Sequence, residues 1–456
     1  MNEDLTRMIN PVVTRIFDLE ALPRITLEIS EVNWDSLLMA YDRNPGQNFW
    51  IPGNFRYEEG RQLLNRIIGN VGLRVRGNSS RQRPEGDLGQ QHDPDNPVWR
   101  QASFALDFGR FSSGQTFEGL SRLDLKFTRE DPTRIREVYA FDLLQQARIF
   151  TGPLISMCRF FIQIGNGRPA YFGIYKLKEF IDEDYLANRV GFLGDFPRGS
   201  RVPFLWKGDN GAALNDYNPM VIANRDIYDL RTNTNQRALA NAQLTDFVRN
   251  LVTLQGTALE NWANATMDVN LLMRTYMASV LCGNMDDYWY NSNNFNFYFN
   301  THGRFFFIPN DFDTTLGTGW SFDAGRQSVR NWGRHGNPLI FRLIDQVPQF
   351  WTLYTSAFHE LTQGVFNVSN SILRIQRWQH LIQPHLWDET VHFGCASAAG
   401  WCTTGSQGSH SQTPFRDETA WWTSGGNNRN YRLFGSPNFF TTASEVGRLA
   451  GPRNED

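Results

Sequence analysis

The hydrophobic period changes along this chain of 456 residues, and the change constrains the fold more than any other feature. From about residue 22 to 127 apolar and polar side chains alternate, as in ITLEIS at 25–30, GLRVRG at 72–77 and RLDLKF at 122–127. Alternation at period two predicts half-buried β-strands. Beyond residue 240 apolar residues recur every three or four positions, which predicts amphipathic helices. We therefore expect an α+β protein that is strand-rich at first and mainly helical later.

The sequence also predicts a helix within the strand-rich part and two hairpins, one in each part of the chain. Asp131 and Pro132 supply a cap and a first-turn residue before a stretch of helical periodicity. Two further strands, MCRFFIQIG and AYFGIYKLKEF, are joined by Asn166-Gly167, the usual signal of a two-residue hairpin turn. A second hairpin, NFNFYFN followed by RFFFIPN, lies within the helical part. Residues 208–240 are rich in Asn and Asp, so we expect an irregular connection there.

These patterns divide the chain into four segments. They are an N-terminal extension (1–21), a strand-rich lobe (22–206), a mainly helical lobe with the embedded hairpin (207–393) and an irregular segment rich in Gly, Ser and Trp (394–456). Ligands commonly bind in the cleft between two such units. A ligand is therefore expected between the two lobes.

Composition excludes several classes of partner. The formal net charge is -3, from 44 basic and 47 acidic residues, so no global field draws the chain to nucleic acid or to an anionic membrane. The sequence contains no run of about 18 apolar residues, so we expect no membrane span. MNEDLTRMINPVV has no signal-peptide pattern. Cys395 and Cys402 could pair in an oxidising compartment, but their spacing argues against a zinc site. The compartment and the oligomeric state stay open.

Lysine is rare in this chain. Four of the 44 basic residues are lysine, namely Lys126, Lys176, Lys178 and Lys207. A lineage that exchanges lysine for arginine wherever the fold permits would give this pattern. The remaining lysines would then mark positions where a compact ammonium works and a planar guanidinium does not.

The densest group of polar residues in an apolar setting lies at 283–317. Two acidic groups, Asp286-Asp287 and Asp311-Phe312-Asp313, flank the second hairpin, so the fold can bring them together. Three asparagines lie between them: Asn291, Asn293 and Asn294. Carboxylate and amide oxygens without a nearby His or Cys are hard ligands, which suit Mg²⁺ or Mn²⁺ and not zinc.

The spacing of these groups matches a phosphoryl-transfer site. In kinases one Asp orients the hydroxyl that is phosphorylated, an Asn five residues later holds metal, and a second Asp after a strand holds metal again. Asp286 and Asn291 have that five-residue offset, and the sequence from Asp311 to Asp313 stands where Asp-Phe-Gly would. Clusters of Asn and Asp are also common in turns and caps, so that structural explanation stays open here.

Other nucleotide and hydrolase motifs are absent from the sequence. It contains no Walker A motif, no GxGxxG and no GxSxG. Residues 76–81, RGNSSR, follow a predicted strand and offer backbone N–H groups, together with Arg76 and Arg81, to a phosphate. The same string also fits an ordinary turn.

Several short segments between about residues 22 and 385 resemble motifs of the CotH family and follow one another in the same order. This family is the spore-coat protein H type of atypical protein kinase. LPRITLEISEVNWDSLL resembles the family's opening strand and turn, and VRGNSSR its RGNS/T loop. RLDLKF with DPTRIREVYAFDLL resembles its lysine-bearing strand and the helix after it, and AYFGIYKLKEFID and PFLWKGDNGAAL its YxGxY hairpin and LYK segment. GNMDD, NNFNFYF and IPNDFD are similar to its N-x-D, NNYxxY and PWDxD elements. The resemblance implies a two-lobed, atypical protein-kinase-like fold.

The resemblance also implies catalytic and metal-binding residues. Asp286 aligns with the N-x-D aspartate, the implied catalytic base or orienting carboxylate. Asp311 aligns with the first Asp of PWDxD, the implied metal ligand, with Asp313 as its neighbour and second ligand, while Asn310 stands where the family has Trp. The gap before the NNY element is longer here, which leaves two candidates for the metal-binding amide. They are Asn291 and Asn294.

On the nucleotide side, the resemblance implies a set of contacts to ATP. They are Arg76, Asn78, Ser79, Lys126, Glu179 and Lys207. A kinase needs an ammonium near the α and β phosphates, held by a Glu from another element. Lys126 and Glu179 are our first predicted pair, and Lys207 is the second candidate for the ammonium. Alternation places Lys176 and Lys178 on one strand face, and we expect one of them to be solvated.

The function that the resemblance implies is an Mg²⁺-dependent protein kinase. It would transfer the γ-phosphate of ATP to Ser or Thr of a protein partner, with ATP between the lobes and Mg²⁺ or Mn²⁺ as the metal. Two alternatives stay open. One is a non-catalytic surface or structural protein for adhesion or coat assembly, and the other is transfer of AMP by the same site.

Overall fold

A computed structural model describes residues 8–60, 64–78, 80–127, 131, 134–195, 199–316, 329–330, 332–333 and 337–385. Three of the features singled out above lie outside these residues. They are Ser79, Pro132 and the segment 394–456 with Cys395 and Cys402.

Seven strands close into a barrel in the first part of the chain. They are β1 (Arg24–Ile29), β2 (Ile51–Glu59), β3 (Leu64–Arg76), β4 (Ser103–Asp107), β5 (Arg122–Lys126), β6 (Ile155–Ile164) and β7 (Ala170–Glu179). Their order is β1-β2-β3-β4-β5-β7-β6, and β6 closes the barrel by pairing in parallel with β1. The alternating apolar residues meet inside, where Phe55, Phe104 and Phe160 are fully buried. The predicted strand-rich first part is confirmed.

A second sheet of four antiparallel strands carries the embedded hairpin. Its strands are β8 (Phe204–Gly208), β9 (Tyr228–Leu230), β10 (Phe295–Phe299) and β11 (Phe305–Pro309), in the order β11-β10-β8-β9. The predicted hairpin is β10–β11. Residues 208–240 are not wholly irregular, because they contain β9 and a short helix. A boundary at 206/207 would divide β8, whose partners both follow it in the chain.

Helices dominate the later part of the chain, as predicted. The helices before β8 are α1 (Pro11–Ile16), α2 (Glu31–Arg43), α3 (Arg136–Gln146) and α4 (Glu183–Ala187). Those after it are α5 (Pro219–Ile222), α6 (Arg237–Thr253), α7 (Gly256–Thr266), α8 (Val269–Cys282), α9 (Tyr288–Asn291), α10 (Pro338–Gln346), α11 (Pro348–Gln363) and α12 (Val368–Ile382), with 3₁₀ turns at Thr234–Gln236 and Gln383–His385. No helix within the described ranges is long and apolar enough to cross a membrane.

Local contacts and sequence explain where two of these elements begin and end. The early helix begins at Arg136 and not beside Asp131, whose carboxylate accepts from the Arg136 backbone N–H at 2.8 Å. The turn at Asn166-Gly167 is correctly located, but β6 ends at Ile164 and β7 begins at Ala170. The connection therefore has five residues and not two, which follows from its Pro169, since proline cannot donate to a strand ladder.

Asp182 caps α4 and makes folding stability depend on pH. Its Oδ1 accepts from the backbone N–H groups of Asp184 at 3.1 Å and Tyr185 at 3.4 Å. Burial, followed by the charge of Asp184, raises the pKa of Asp182 to about 7. The folded protein thus retains a proton that the unfolded chain releases at its ordinary pKa of 3.8. The contribution of Asp182 to the free energy of unfolding therefore falls as pH rises from about 4 to about 7.

We expect Asp182→Asn to stabilise the protein more at pH 8 than at pH 5, because asparagine keeps the Oδ1 acceptor without the charge. Equilibrium denaturation of both proteins at the two pH values measures this difference. A gain that is independent of pH would contradict the prediction.

Candidate active site

A cleft of about 530 Å³ opens between the barrel and the four-stranded sheet. Its walls come from the ends of β3, β5 and β7 on one side and from β8, β10 and the acidic loops on the other. Nine residues predicted from the sequence line it: Arg76, Asn78, Lys126, Glu179, Lys207, Asp286, Asn294, Asp311 and Asp313. The fold therefore gathers residues that lie up to 237 positions apart, from Arg76 to Asp313, around one space.

Lys126, the last residue of β5, connects the barrel to the acidic motif. Its Nζ lies 2.6 Å from Asp311 Oδ1 and 3.0 Å from Asp313 Oδ2, and it donates to Glu137 Oε1 at 3.0 Å. Burial alone would lower the pKa of Lys126, but the three carboxylates outweigh burial and raise that pKa well above its ordinary value. Lys126 is thus a charged ammonium in the wall of the cleft.

Glu137, in the first turn of α3, is fully buried among three of the four lysines. Lys176 donates to its Oε2, and the Nζ of Lys178 lies 3.5 Å from its Oε1. Strand register explains this grouping, because Lys126 on β5 pairs with Lys176 on β7 and Lys178 follows on the same face. Burial alone would raise the pKa of Glu137, yet the three ammonium groups hold it well below its ordinary value.

Two expectations about these side chains are wrong. Neither Lys176 nor Lys178 is solvated, since they are 2% and 5% exposed. Burial lowers the pKa of both, and Glu137 offsets part of that effect. The predicted pair of Lys126 with Glu179 does not form, because the β5–β7 register places Glu179 opposite Leu123.

Glu179 instead forms a buried pair with Arg189. Two guanidinium nitrogens of Arg189 lie 2.7 Å from the two carboxylate oxygens of Glu179, and Oε2 also accepts from the Leu154 backbone N–H at 2.9 Å. Glu179 therefore fixes the end of β7 to the segment after α4. The partner of Lys126 that sequence reasoning missed is Glu137, which lies in the helix after the lysine-bearing strand.

Asp286 lies in a loop that begins where α8 ends. Gly283 adopts a left-handed conformation (φ 63°), which turns the chain out of the helix toward the cleft. Three asparagine amides then donate to the Asp286 carboxylate: Asn291 at 2.7 Å, Asn293 at 3.1 Å and Asn294 at 2.8 Å. Burial raises the pKa of Asp286 above its ordinary value, although these hydrogen bonds oppose the rise. Asn291 and Asn294 are thus both neighbours of Asp286, but only Asn294 lines the cleft.

Asn284 joins the two acidic groups and was given no role from the sequence. Its Oδ1 accepts from the Asp286 backbone N–H at 3.2 Å, and its Nδ2 donates to the Asp311 carbonyl at 2.8 Å. It is fully buried. Asn284 is the Asn of the N-x-D string, and that motif could have singled it out. Its two hydrogen bonds hold the two acidic loops at a fixed distance from each other.

The RGNSSR loop and Lys207 complete the rim of the cleft. The Nε of Arg76 lies 3.3 Å from Asp124 Oδ1. Arg81 donates to three backbone carbonyls, those of Gly77 at 3.0 Å, Pro45 at 2.9 Å and Gln47 at 3.0 Å. Lys207, on β8, forms an ion pair with Asp209 and remains partly exposed.

One known protein family matches most of this chain. The family model described as CotH kinase protein matches residues 73–411, which is most of the chain. The chain belongs to the CotH kinase family. A search of curated proteins gave no match. Membership confirms the resemblance drawn from the motifs and indicates a kinase-like protein with phosphotransferase chemistry.

The donor set of this CotH kinase family member fits a hard divalent cation. Within the described part of the chain no group of three or more His, Cys, Asp or Glu side chains is arranged to hold a metal ion. Asp311 and Asp313 nevertheless present two carboxylates at one ammonium group. Mg²⁺ is usually held by one or two carboxylates and completed by substrate phosphates. The two carboxylates are therefore donors of the kind that Mg²⁺ or Mn²⁺ uses.

Proposed function

We propose that this protein is an ATP- and Mg²⁺-dependent phosphotransferase that moves the γ-phosphate of ATP to Ser or Thr of a protein partner. The observation that carries the proposal is the meeting of Lys126 with Asp311 and Asp313 in a cleft that Asp286 also lines. Catalysis of phosphoryl transfer is almost entirely positioning and electrostatic stabilisation. In this proposal the barrel is the nucleotide-side lobe and the helical part is the catalytic lobe.

Lys126 is proposed to hold the α and β phosphates. This role requires a buried counter-ion for the ammonium. Glu137 is that counter-ion, because its Oε1 accepts a hydrogen bond from Lys126 Nζ at 3.0 Å. Glu137 therefore takes the role first given to Glu179. Arg76, Asn78 and Lys207 line the same space and are proposed to contact the nucleotide at its rim.

Asp286 is proposed to orient the acceptor hydroxyl and to take its proton. The hydroxyl oxygen bonds to the γ-phosphorus as the bond from that phosphorus to ADP breaks. The amides of Asn291 and Asn293 hold the carboxylate in place. Its pKa, raised by burial, makes Asp286 a better proton acceptor than an exposed aspartate.

The proposed metal ligands are Asp311, Asp313 and the amide of Asn294. When bound, Mg²⁺ or Mn²⁺ would supply positive charge that neutralises the charge developing on the transferred phosphate. Asn294 is preferred to Asn291 because it lines the cleft. Because its amide nitrogen donates to Asp286, its amide oxygen points away from that carboxylate, as this role requires.

Transfer of label tests the proposed function. Purified protein is incubated with Mg²⁺, a carrier protein and γ-labelled ATP, and label in protein is counted. We expect the wild-type protein to incorporate label and Asp286→Asn to reduce the rate at least about a hundredfold. Asp246→Asn, a change of the same type at an exposed residue of α6, is the control and should label normally.

The same assay with α-labelled ATP separates the alternatives. Label from α-labelled ATP in protein would show that the site transfers AMP and not the γ-phosphate. No label from either nucleotide would overturn the enzyme proposal in favour of a structural role in adhesion or coat assembly. Labelling that survives Asp286→Asn would overturn the role of that residue.

A further inference from the structure

An arginine strip runs along the outside of the barrel at the edge of the cleft. Its members are Arg74, Arg76, Arg81 and Arg110. Alternation along β3 turns Leu73 and Val75 into the barrel core, so Arg74 and Arg76 face outward on the same side. Three members line the cleft, whereas Arg110 is exposed and lies outside the cleft lining. The strip therefore begins in the cleft and leads out of it.

Trp50 holds the outer end of the strip together. The guanidinium carbon of Arg74 lies 5.1 Å from the centre of the Trp50 ring, and that of Arg110 lies 5.5 Å from it. Gly72 makes room for Arg110, because a Cβ at residue 72 would lie 2.6 Å from the Cβ of Arg110. Along β3 the strip extends from Arg76 to the position of Gly72, which is about 13 Å for four residues of strand.

The positive charge of the strip is only partly compensated. In the described part of the chain its ion pair is the one between Arg76 and Asp124, at 3.3 Å. Arg74 and Arg81 donate to uncharged oxygens instead. Burial lowers the pKa of Arg74 to about 10; Asp124 opposes the fall, and the charges of Arg81 and Arg76 add to it. These guanidinium groups thus repel one another, and a bound anion would relieve that repulsion.

The length and direction of the strip fit a peptide better than a nucleotide or a nucleic acid. A ligand that covers it from Arg76 to Arg110 has to extend out of the cleft. Four residues of extended peptide cover the same length. A single-stranded nucleic acid uses open aromatic faces for base stacking, whereas the ring of Trp50 already carries two guanidinium groups.

We propose that the arginine strip binds an acidic segment of the protein acceptor and so guides its Ser or Thr toward the cleft. This inference rests on the proposed function. The carboxylates of Asp and Glu match the guanidinium group, which donates two parallel hydrogen bonds to them. The whole chain has a net charge of -3, so a preference for an acidic segment has to come from a local cluster such as this one.

Binding of two matched peptides tests this role. One peptide has a single Ser among Glu residues, and the other has Gln in place of each Glu. Both are fluorescently labelled and titrated with the full chain, and their anisotropy is measured. We expect the wild-type protein to bind the Glu peptide about tenfold tighter, with a difference that shrinks as salt is added. Arg74→Gln combined with Arg110→Gln should remove most of this preference, because two partly exposed ion pairs account for about tenfold.

Charge-matched variants separate this role from an effect of net charge. Arg249→Gln combined with Arg377→Gln removes two exposed arginines of α6 and α12 and should leave the preference unchanged. Arg74→Lys combined with Arg110→Lys keeps the charge and should keep most of the preference. An ATP analogue that cannot transfer its γ-phosphate, added with Mg²⁺, should not displace the Glu peptide from the wild-type protein.

Equal binding of the two peptides, displacement by the ATP analogue, or the same loss in the Arg249 and Arg377 variant would overturn the assignment. Tighter binding of a single-stranded oligonucleotide of equal charge would overturn it in favour of a nucleic-acid partner. Transfer of label from γ-labelled ATP to the two peptides then distinguishes the two proposals. Labelling of both peptides at the same rate would overturn the role of the strip alone. Binding of the Glu peptide without labelling of either peptide would overturn the proposed function, and the acceptor role of the strip with it.

Discussion

Replacing Glu137 by alanine is expected to lower the free energy of unfolding by about 3–5 kcal/mol, because it leaves buried ammonium groups without their shared counter-ion. Glu137 is fully buried and is the carboxylate that Lys176 and Lys178 both approach in the described structure. Lys126 retains Asp311 and Asp313, so the loss falls mainly on the two lysines of β7. Denaturant titration at neutral pH measures the change.

Two further variants make this prediction specific. Glu137→Gln keeps the shape but not the charge, so it should lose a similar amount, and adding Lys176→Met to it should restore part of the stability. Asp246→Ala breaks the exposed pair with Arg249 and should change stability by less than about 1 kcal/mol. If Glu137→Ala were no less stable than Asp246→Ala, the buried cluster would not contribute as argued.

Exchanging Lys126 for arginine is expected to reduce the rate of phosphate transfer about 10²- to 10³-fold although the charge is kept. The Lys126 Nζ lies within 3.0 Å of three carboxylates in a buried space, and the longer, planar guanidinium cannot occupy the same point. Arg249→Lys is the reverse exchange at an exposed site outside the cleft, and it should change the rate little. The kcat and KM of both variants with ATP measure the difference. Equal activity of Lys126→Arg and wild type would mean that this position does not require a compact ammonium.

The general architecture could be predicted because it depends on local patterns. Alternation predicted the barrel strands, and the helical period predicted the later helices. The pairing of β10 with β8 could not be read in this way, since it joins residues about 90 positions apart. The three residues of β9 are too few to show a period.

The sequence predicted which residues form the candidate site better than it predicted which of them contact one another. Asp286, Asp311 and Lys126 stood out by motif and by rarity, and all three line one cleft. The choice between Glu137 and Glu179 as partner of Lys126 depends on the register of β5 against β7, which places Glu179 beside Leu123. That register is set by closure of the whole barrel and leaves no trace in a short string of sequence.

Lys126 and its neighbours also have a consequence for the order in which ligands enter. Three ammonium groups face three carboxylates in this cluster, so the cluster is close to electroneutral as it stands. They are Lys126, Lys176 and Lys178 against Glu137, Asp311 and Asp313. A divalent cation that arrived alone would add two positive charges to a buried site and compete with the Lys126 ammonium for the same oxygens. A polyphosphate that arrives with the cation supplies the missing negative charge, so we expect the affinity for either ligand to rise steeply in the presence of the other.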